Sequence, residues 1–83
     1  MAKVVVYVTD YCGYCLKAKN LLRKKNIEFE EIDMTNNDEL RSYVMKASGR
    51  WTVPQIFIND KPIGGASELY ELNSTGEFDK LLQ

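Results

Sequence analysis

The chain has 83 residues, of which 45% are hydrophobic, and its 11 basic and 12 acidic residues give a net charge of -1 at pH 7. This size and charge balance indicate one globular domain over residues 1–83 and give no reason to expect a nucleic-acid or membrane partner. The sequence has two cysteines and no histidine. It therefore excludes Cys–His catalytic pairs and His-ligated zinc, and it has too few thiolates for a structural zinc or iron–sulfur site within one chain.

The longest apolar run, Val4–Val8, is too short to span a bilayer and lacks the flanks of a secretion signal. We therefore expect the protein in the cytoplasm, where thiols are kept mostly reduced. The same β-branched run predicts a strand that is buried on both faces of a sheet.

A βαβ unit is predicted next. Residues 13–25 have the periodicity of a helix with Cys15 on its apolar stripe, and residues 27–33 resemble a second strand. Two strands joined by one helix should be parallel, with a right-handed crossover.

A second helix follows, with N-cap candidates at Asn36–Asp38 and a stop at Ser48–Gly49. Its predicted apolar stripe consists of Leu40, Tyr43, Val44 and Ala47.

The last part of the chain predicts a hairpin and two helices. Residues 55–58 and 61–63 flank Asn59–Asp60, a turn signal, and Pro62 places the final strand at a sheet edge. Gly64–Gly65 leads into a third helix, and a short C-terminal helix closes the chain. We therefore expect an α/β fold with a four-stranded mixed sheet flanked by helices.

The two cysteines, Cys12 and Cys15, are three residues apart at the start of the first helix. Residues at that spacing share a helix face, close enough for a disulfide. At the helix N-terminus the Cys12 thiolate is stabilised, whereas Cys15 should be more buried and less acidic. A purely structural disulfide is the alternative, but so short a loop gains little entropy. The pattern favours a redox pair.

With these features in place, the chain resembles a glutaredoxin of the dithiol type. The resemblance depends on Cys12-Gly13-Tyr14-Cys15, Thr52-Val53-Pro54, Gly64-Gly65 and the length, and covers essentially the whole chain. It implies a thioredoxin fold with Pro54 cis and facing the cysteines. It also implies a monomeric, glutathione-dependent thiol–disulfide oxidoreductase that reduces protein disulfides and glutathionylated proteins. Cys12 would be the nucleophile and Cys15 the resolving thiol, with glutathione as co-substrate.

The same resemblance implies a glutathione site. The Val53 backbone would pair with the cysteinyl part of glutathione, and the N–H groups of residues 65–67 would bind its γ-glutamyl carboxylate. For Ser67 the alternative is an N-cap role, and for Lys17 a solvated helix face. The implied glutathione-binding residues are Tyr14, Lys17, Thr52, Val53, Pro54, Gly65, Ala66 and Ser67.

Three positions depart from the family pattern. Thr9 stands where many members have a lysine, so Lys17 or Arg50 would have to supply the missing charge. Gly13 replaces the common proline, a change associated in the family with a bridging [2Fe–2S] cluster held by Cys12 and glutathione in a dimer. Cluster binding is therefore the alternative function, although retention of Cys15 favours the oxidoreductase.

Trp51 stands where a smaller residue is common and could pack over the site.

Overall fold

Four strands and four helices are found in the structure, a computed structural model that describes residues 2–83. In chain order they are β1 (Val4–Val8), α1 (Gly13–Lys24), β2 (Glu30–Asp33), α2 (Asp38–Ser48), β3 (Gln55–Ile58), β4 (Lys61–Gly64), α3 (Ala66–Thr75) and α4 (Glu77–Leu81).

The strands form one mixed sheet in the order β2-β1-β3-β4. β1 is parallel to β2 and antiparallel to β3, and β3 is antiparallel to β4. The βαβ unit and the hairpin predicted from the sequence are thus both confirmed. At the hairpin turn, Asn59 and Asp60 have φ of 51° and 67°, the left-handed conformations that a tight two-residue turn requires. Pro62 lies on the edge strand β4, where its missing donor costs no sheet hydrogen bond.

Helices cover both faces of the sheet, which explains why β1 is apolar throughout. Val4, Val6 and Val8 pack into a core with residues of α1, α3 and α4, whereas Val5 packs with Phe57 into a second core on the α2 side. Consecutive strand residues point to opposite faces, so a strand between two helical layers needs an apolar side chain at every position. The predicted α/β class is confirmed.

Two sequence predictions were wrong in detail. β2 begins at Glu30 rather than Ile27, and the residues before it connect α1 to the sheet. In α2, Tyr43 and Ala47 are exposed, and Met45 is buried beside Val44. Positions 43 and 45 lie about 100° either side of Val44, so periodicity alone could not decide which one faces the sheet. The N-cap and the end of α2 were predicted correctly, at Asn37 and Gly49.

No helix in residues 2–83 has both the length and the apolar character needed to cross a membrane.

Candidate active site at the Cys12–Cys15 pair

The cysteine pair lies where the loop after β1 enters α1. Tyr11 has a φ of 56°, the left-handed region, and its side chain is fully exposed. Cys12 then returns to extended backbone (φ -113°, ψ 106°) as the N-cap of α1. The reversal at Tyr11 places the Cys12 sulfur at the helix end, where the backbone N–H groups have no partners in the helix.

Cys12 and Cys15 are joined by a disulfide, with their Cα atoms 5.2 Å apart. Cys15 is 3% exposed and faces the core, whereas Cys12 is half-buried. The N–H of Cys15 donates to Sγ of Cys12 at 3.1 Å. A negative charge on the Cys12 sulfur would therefore be stabilised by this donor and by the helix dipole. The arrangement provides one accessible sulfur and one shielded sulfur.

The segment between α2 and β3 faces this pair. The Val53–Pro54 peptide bond is cis, as the family resemblance implied. The Val53 carbonyl oxygen lies 3.6 Å from Sγ of Cys12. A disulfide sulfur has no proton, so this is a packing contact here and becomes a hydrogen bond only when Cys12 is a thiol. The backbone of Val53 is thereby positioned beside the sulfur that would react.

A groove of about 240 Å³ runs from this segment to the start of α3. It is lined by Tyr14, Arg50, Thr52, Val53, Pro54, Gly65, Ala66, Ser67 and Glu68. The structure thus brings together every implied glutathione-binding residue except Lys17. Lys17 lines a neighbouring groove of about 360 Å³ between α1 and α3, and its Nζ lies 5.5 Å from the centre of the exposed Tyr14 ring.

The two glycines before α3 allow its N-terminus to approach the cis-proline segment. Gly64 has a φ of 117°, and a Cβ there would come within 2.7 Å of Cγ of Glu68. A Cβ on Gly65 would lie 3.1 Å from the carbonyl oxygen of Pro54. Larger residues would push α3 away and widen the groove.

Gly65, and not Ser67, is the N-cap of α3. The alternative N-cap role for Ser67 is therefore wrong. Ser67 is the second residue of the helix and is exposed at the groove.

Sequence reasoning missed the contact between Arg50 and Glu68 in the groove. Oε1 of Glu68 accepts a hydrogen bond from the Gly65 N–H at 2.7 Å and lies 3.0 Å from Nη1 of Arg50. The Gly65 N–H, with a smaller contribution from the Arg50 charge, holds the pKa of the Glu68 carboxyl below its usual value. A glutamate three residues after the helix cap is the available sequence signal for the Gly65 bond. Nothing in the sequence indicates that Arg50 is its neighbour.

Trp51 does not line the groove between the cis-proline segment and α3. Its side chain is 80% exposed and borders a separate surface groove beside α2, with Ser42, Met45, Lys46 and Gly49. The expectation that Trp51 packs over the site is not supported by this placement.

Over the part of the chain that the structure describes, no group of three or more cysteine and carboxylate side chains could hold a metal ion.

A family model described as Glutaredoxin matches residues 4–63. Glutaredoxin 3 of Escherichia coli strain K12 is 45% identical over 83 residues, covering 100% of this chain and 100% of the relative.

Two solved structures have the same architecture. The solution structure of glutaredoxin from Brucella melitensis is 45% identical, with a TM-score of 0.88, and the match covers 99% of this chain and 89% of that one. The crystal structure of a buckwheat glutaredoxin–glutathione complex is 28% identical, with a TM-score of 0.90 over 98% of this chain and 76% of that one. These matches confirm the thioredoxin fold implied by the sequence motifs.

Proposed function

Because this chain belongs to the glutaredoxin family and has a paired Cys12 and Cys15, it is a thiol–disulfide oxidoreductase, and we propose that glutathione supplies its electrons. The observation that carries the proposal is a groove that runs from the Val53 backbone to the α3 N-terminus, together with the contact of the Val53 carbonyl oxygen with Sγ of Cys12. A relative of the same fold is described as a complex with glutathione.

The groove suits a short peptide that carries a thiol and a carboxylate. A peptide laid along Val53 could pair with its backbone as an added strand, which would bring the peptide's sulfur to Cys12. The Gly65 N–H already donates to Glu68, so the N–H groups of Ala66 and Ser67 at the start of α3 are the ones that favour a carboxylate at the far end. In this proposal Thr52, Pro54 and Tyr14 form the walls of the groove, and Gly65, Ala66 and Ser67 face the carboxylate. Lys17 adds positive charge from the next groove.

Reduction of a glutathionylated protein would use Cys12 alone. The Cys12 thiolate attacks the glutathione sulfur of the mixed disulfide, forms a Cys12–glutathione disulfide and releases the protein thiolate. A second glutathione thiolate then attacks the glutathione sulfur on Cys12, which yields oxidised glutathione and restores the Cys12 thiolate.

Reduction of a protein disulfide would use both cysteines. The Cys12 thiolate attacks one sulfur of the substrate disulfide, which breaks the substrate S–S bond, forms a mixed disulfide and releases the first substrate thiolate. The Cys15 thiolate then attacks the Cys12 sulfur and releases the second substrate thiolate. The product is the Cys12–Cys15 disulfide present in this structure. Two glutathione molecules return it to the dithiol and leave as oxidised glutathione.

We further propose that the protein acts as a monomer in the cytoplasm on protein disulfides and glutathionylated proteins. A reducing compartment supplies the glutathione that the cycle consumes.

The choice of electron donor can be tested directly. The reduced protein is assayed on a glutathionylated peptide with glutathione and glutathione reductase, and separately with thioredoxin reductase as the only electron source. Turnover is expected with glutathione only. Turnover with thioredoxin reductase at an equal or higher rate would contradict glutathione dependence.

A further inference from the structure

Gln55 is the one polar or charged side chain that is buried within residues 2–83, with 1% of its surface exposed. It is the first residue of β3, and the three residues after it, Ile56, Phe57 and Ile58, are all buried and apolar. An amide in such surroundings costs free energy unless it forms hydrogen bonds. Its presence at the end of the strand therefore calls for a physical reason.

Both hydrogen bonds of this side chain to described residues go to Thr52. Nε2 of Gln55 donates to the Thr52 carbonyl oxygen at 2.9 Å and to Thr52 Oγ1 at 3.3 Å. A carbonyl oxygen can only accept, which fixes the orientation of the amide with its NH₂ group toward Thr52. No donor from residues 2–83 reaches Oε1. Among the described residues, the Gln55 amide therefore forms hydrogen bonds with Thr52 alone.

Thr52 begins the segment that faces the reactive sulfur. One residue later, the Val53 carbonyl oxygen lies 3.6 Å from Sγ of Cys12. Gln55 itself is anchored, because it pairs with Tyr7 in the central strand β1. Residues 52–54 are therefore held at two points. Gln55 attaches them to the sheet, and on the other side Gly65, at the start of α3, approaches the carbonyl of Pro54.

We propose that Gln55 is a positioning residue for disulfide exchange at Cys12, because its buried amide holds the Thr52 backbone and thereby the Val53 backbone in place for the incoming peptide. This inference rests on the proposed function, in which that peptide pairs with Val53. It also gives Thr52 a different part in the site. The Thr52 hydroxyl is engaged by Gln55 and holds the segment, while Val53 makes the contact with substrate.

The test replaces the amide with a side chain of similar length that cannot donate. Gln55→Met should fold, with a urea midpoint close to that of the unchanged protein, because removal of a buried oxygen without a protein donor offsets the loss of the hydrogen bonds to Thr52. The KM for a glutathionylated peptide should rise about five- to tenfold, as expected when one or two ordinary hydrogen bonds to the segment are lost. The kcat should be unchanged. The rate at which iodoacetamide alkylates reduced Cys12 should also be unchanged, since that reagent needs no contact with Val53.

Two further variants make the test specific. Ile58→Met introduces the same side chain at the other end of β3 and should leave the KM unchanged. Thr52→Val removes only the hydroxyl partner and should raise the KM by less than Gln55→Met does. An unchanged KM in Gln55→Met, or an equal rise in Ile58→Met, would overturn the proposal.

The remaining outcomes also decide the question. If Gln55→Met failed to fold, an unchanged KM in Thr52→Val would overturn the proposal and a raised KM would support it. If the unchanged protein reduced protein disulfides but not glutathionylated peptides, glutathione dependence would be wrong. The same KM comparison on the protein disulfide would then decide the role of Gln55.

Discussion

The carbonyl oxygen of Val53 lies 3.6 Å from the sulfur of Cys12, although the two residues are 41 positions apart in the chain. The contact joins the two halves of the proposed site, the helix end that stabilises a thiolate and the backbone that would align a peptide. Disulfide exchange requires the attacking sulfur to approach the substrate sulfur closely and in a fixed direction. The Val53 backbone can impose that direction on a substrate without contributing a reactive group.

The two cysteines should be separable by substitution. Cys12→Ser is expected to abolish reduction of both protein disulfides and glutathionylated peptides, because Cys12 supplies the accessible sulfur. Cys15→Ser should retain most of the activity on glutathionylated peptides, since that cycle needs one protein thiolate, and should lose activity on protein disulfides. Steady-state assays on the two substrates measure this. Active Cys12→Ser protein, or equal loss of both activities in Cys15→Ser, would contradict the assigned roles.

Glu68 should make stability depend on pH in the acid range. Its pKa is lowered from a usual value of 4.5 by the Gly65 N–H and by Arg50, so the folded state binds this proton more weakly than the unfolded chain. The resulting stabilisation is complete above about pH 4.5 and is lost as the pH falls through the lower pKa of the folded state.

The matching variant is Glu68→Gln, which keeps an acceptor for the Gly65 N–H but loses the charge. It should lower the free energy of unfolding at neutral pH by about 0.5–1 kcal/mol, allowing for solvent screening at this partly exposed site. Urea unfolding at neutral pH and in acid checks both points. Glu71→Gln, on the exposed surface of the same helix, serves as the control. Equal effects of the two substitutions would show that the negative charge of Glu68 contributes nothing through its contacts with Gly65 and Arg50.

The sequence predicted the fold well because the decisive signals are local. The β-branched apolar run Val4–Val8 favours a central strand, and Asn59–Asp60 between two apolar runs favours a tight turn. The cysteine spacing likewise indicated a redox site, because the pair follows a predicted strand and begins a predicted helix. Each of these features depends on neighbours a few positions away.

The missed features depend on contacts between distant segments. Arg50 and Glu68 are 18 residues apart, and their ion pair forms only because the segment between α2 and β3 lies beside the start of α3. Gln55 lies in a strand where a polar residue is ordinarily read as facing solvent, and only the packed sheet shows that it is buried. Local periodicity indicates neither the Arg50–Glu68 ion pair nor the burial of Gln55.

Gly64 should be the least replaceable glycine of the site. Gly64→Ala has to place a side chain at φ 117°, with its Cβ 2.7 Å from Glu68. The left-handed conformation alone costs about 1–2 kcal/mol, and the crowding adds to it. Gly76→Ala is the matched control, because Gly76 also has a positive φ, 82°, but has no neighbour within 4 Å of the added Cβ.

Urea unfolding should therefore show a larger loss of stability for Gly64→Ala than for Gly76→Ala. The difference between them measures the crowding against Glu68. The KM for a glutathionylated peptide should rise only in Gly64→Ala, because that substitution displaces the α3 N-terminus from the groove. Similar stability losses with no change in KM would mean that the close approach at Gly64 has no part in binding.

Gly13 bears on the alternative function, cluster binding through Cys12. Gly13 is the first residue of α1, and a Cβ there would meet nothing within 4 Å. Cys12 before it already has φ -113° and ψ 106°, close to the extended conformation that a following proline requires. Proline is also well tolerated at the first position of a helix. Gly13→Pro should therefore fold normally and keep its activity on glutathionylated peptides.

Gly13→Pro also tests whether the flexible turn at Gly13 allows a [2Fe–2S] cluster to bind. The resemblance to the family implies that a [2Fe–2S] cluster would be held by Cys12 from two molecules and by the thiolates of two glutathiones. Anaerobic reconstitution with iron, sulfide and glutathione should then give a brown dimer that disappears when glutathione is removed. Gly13→Pro should stay colourless and monomeric, because the proline ring fixes φ and holds the Cys12 loop in its dithiol shape. A colourless monomer from the unchanged protein would reject cluster binding. A brown dimer from both proteins would show that turn flexibility at Gly13 does not control it.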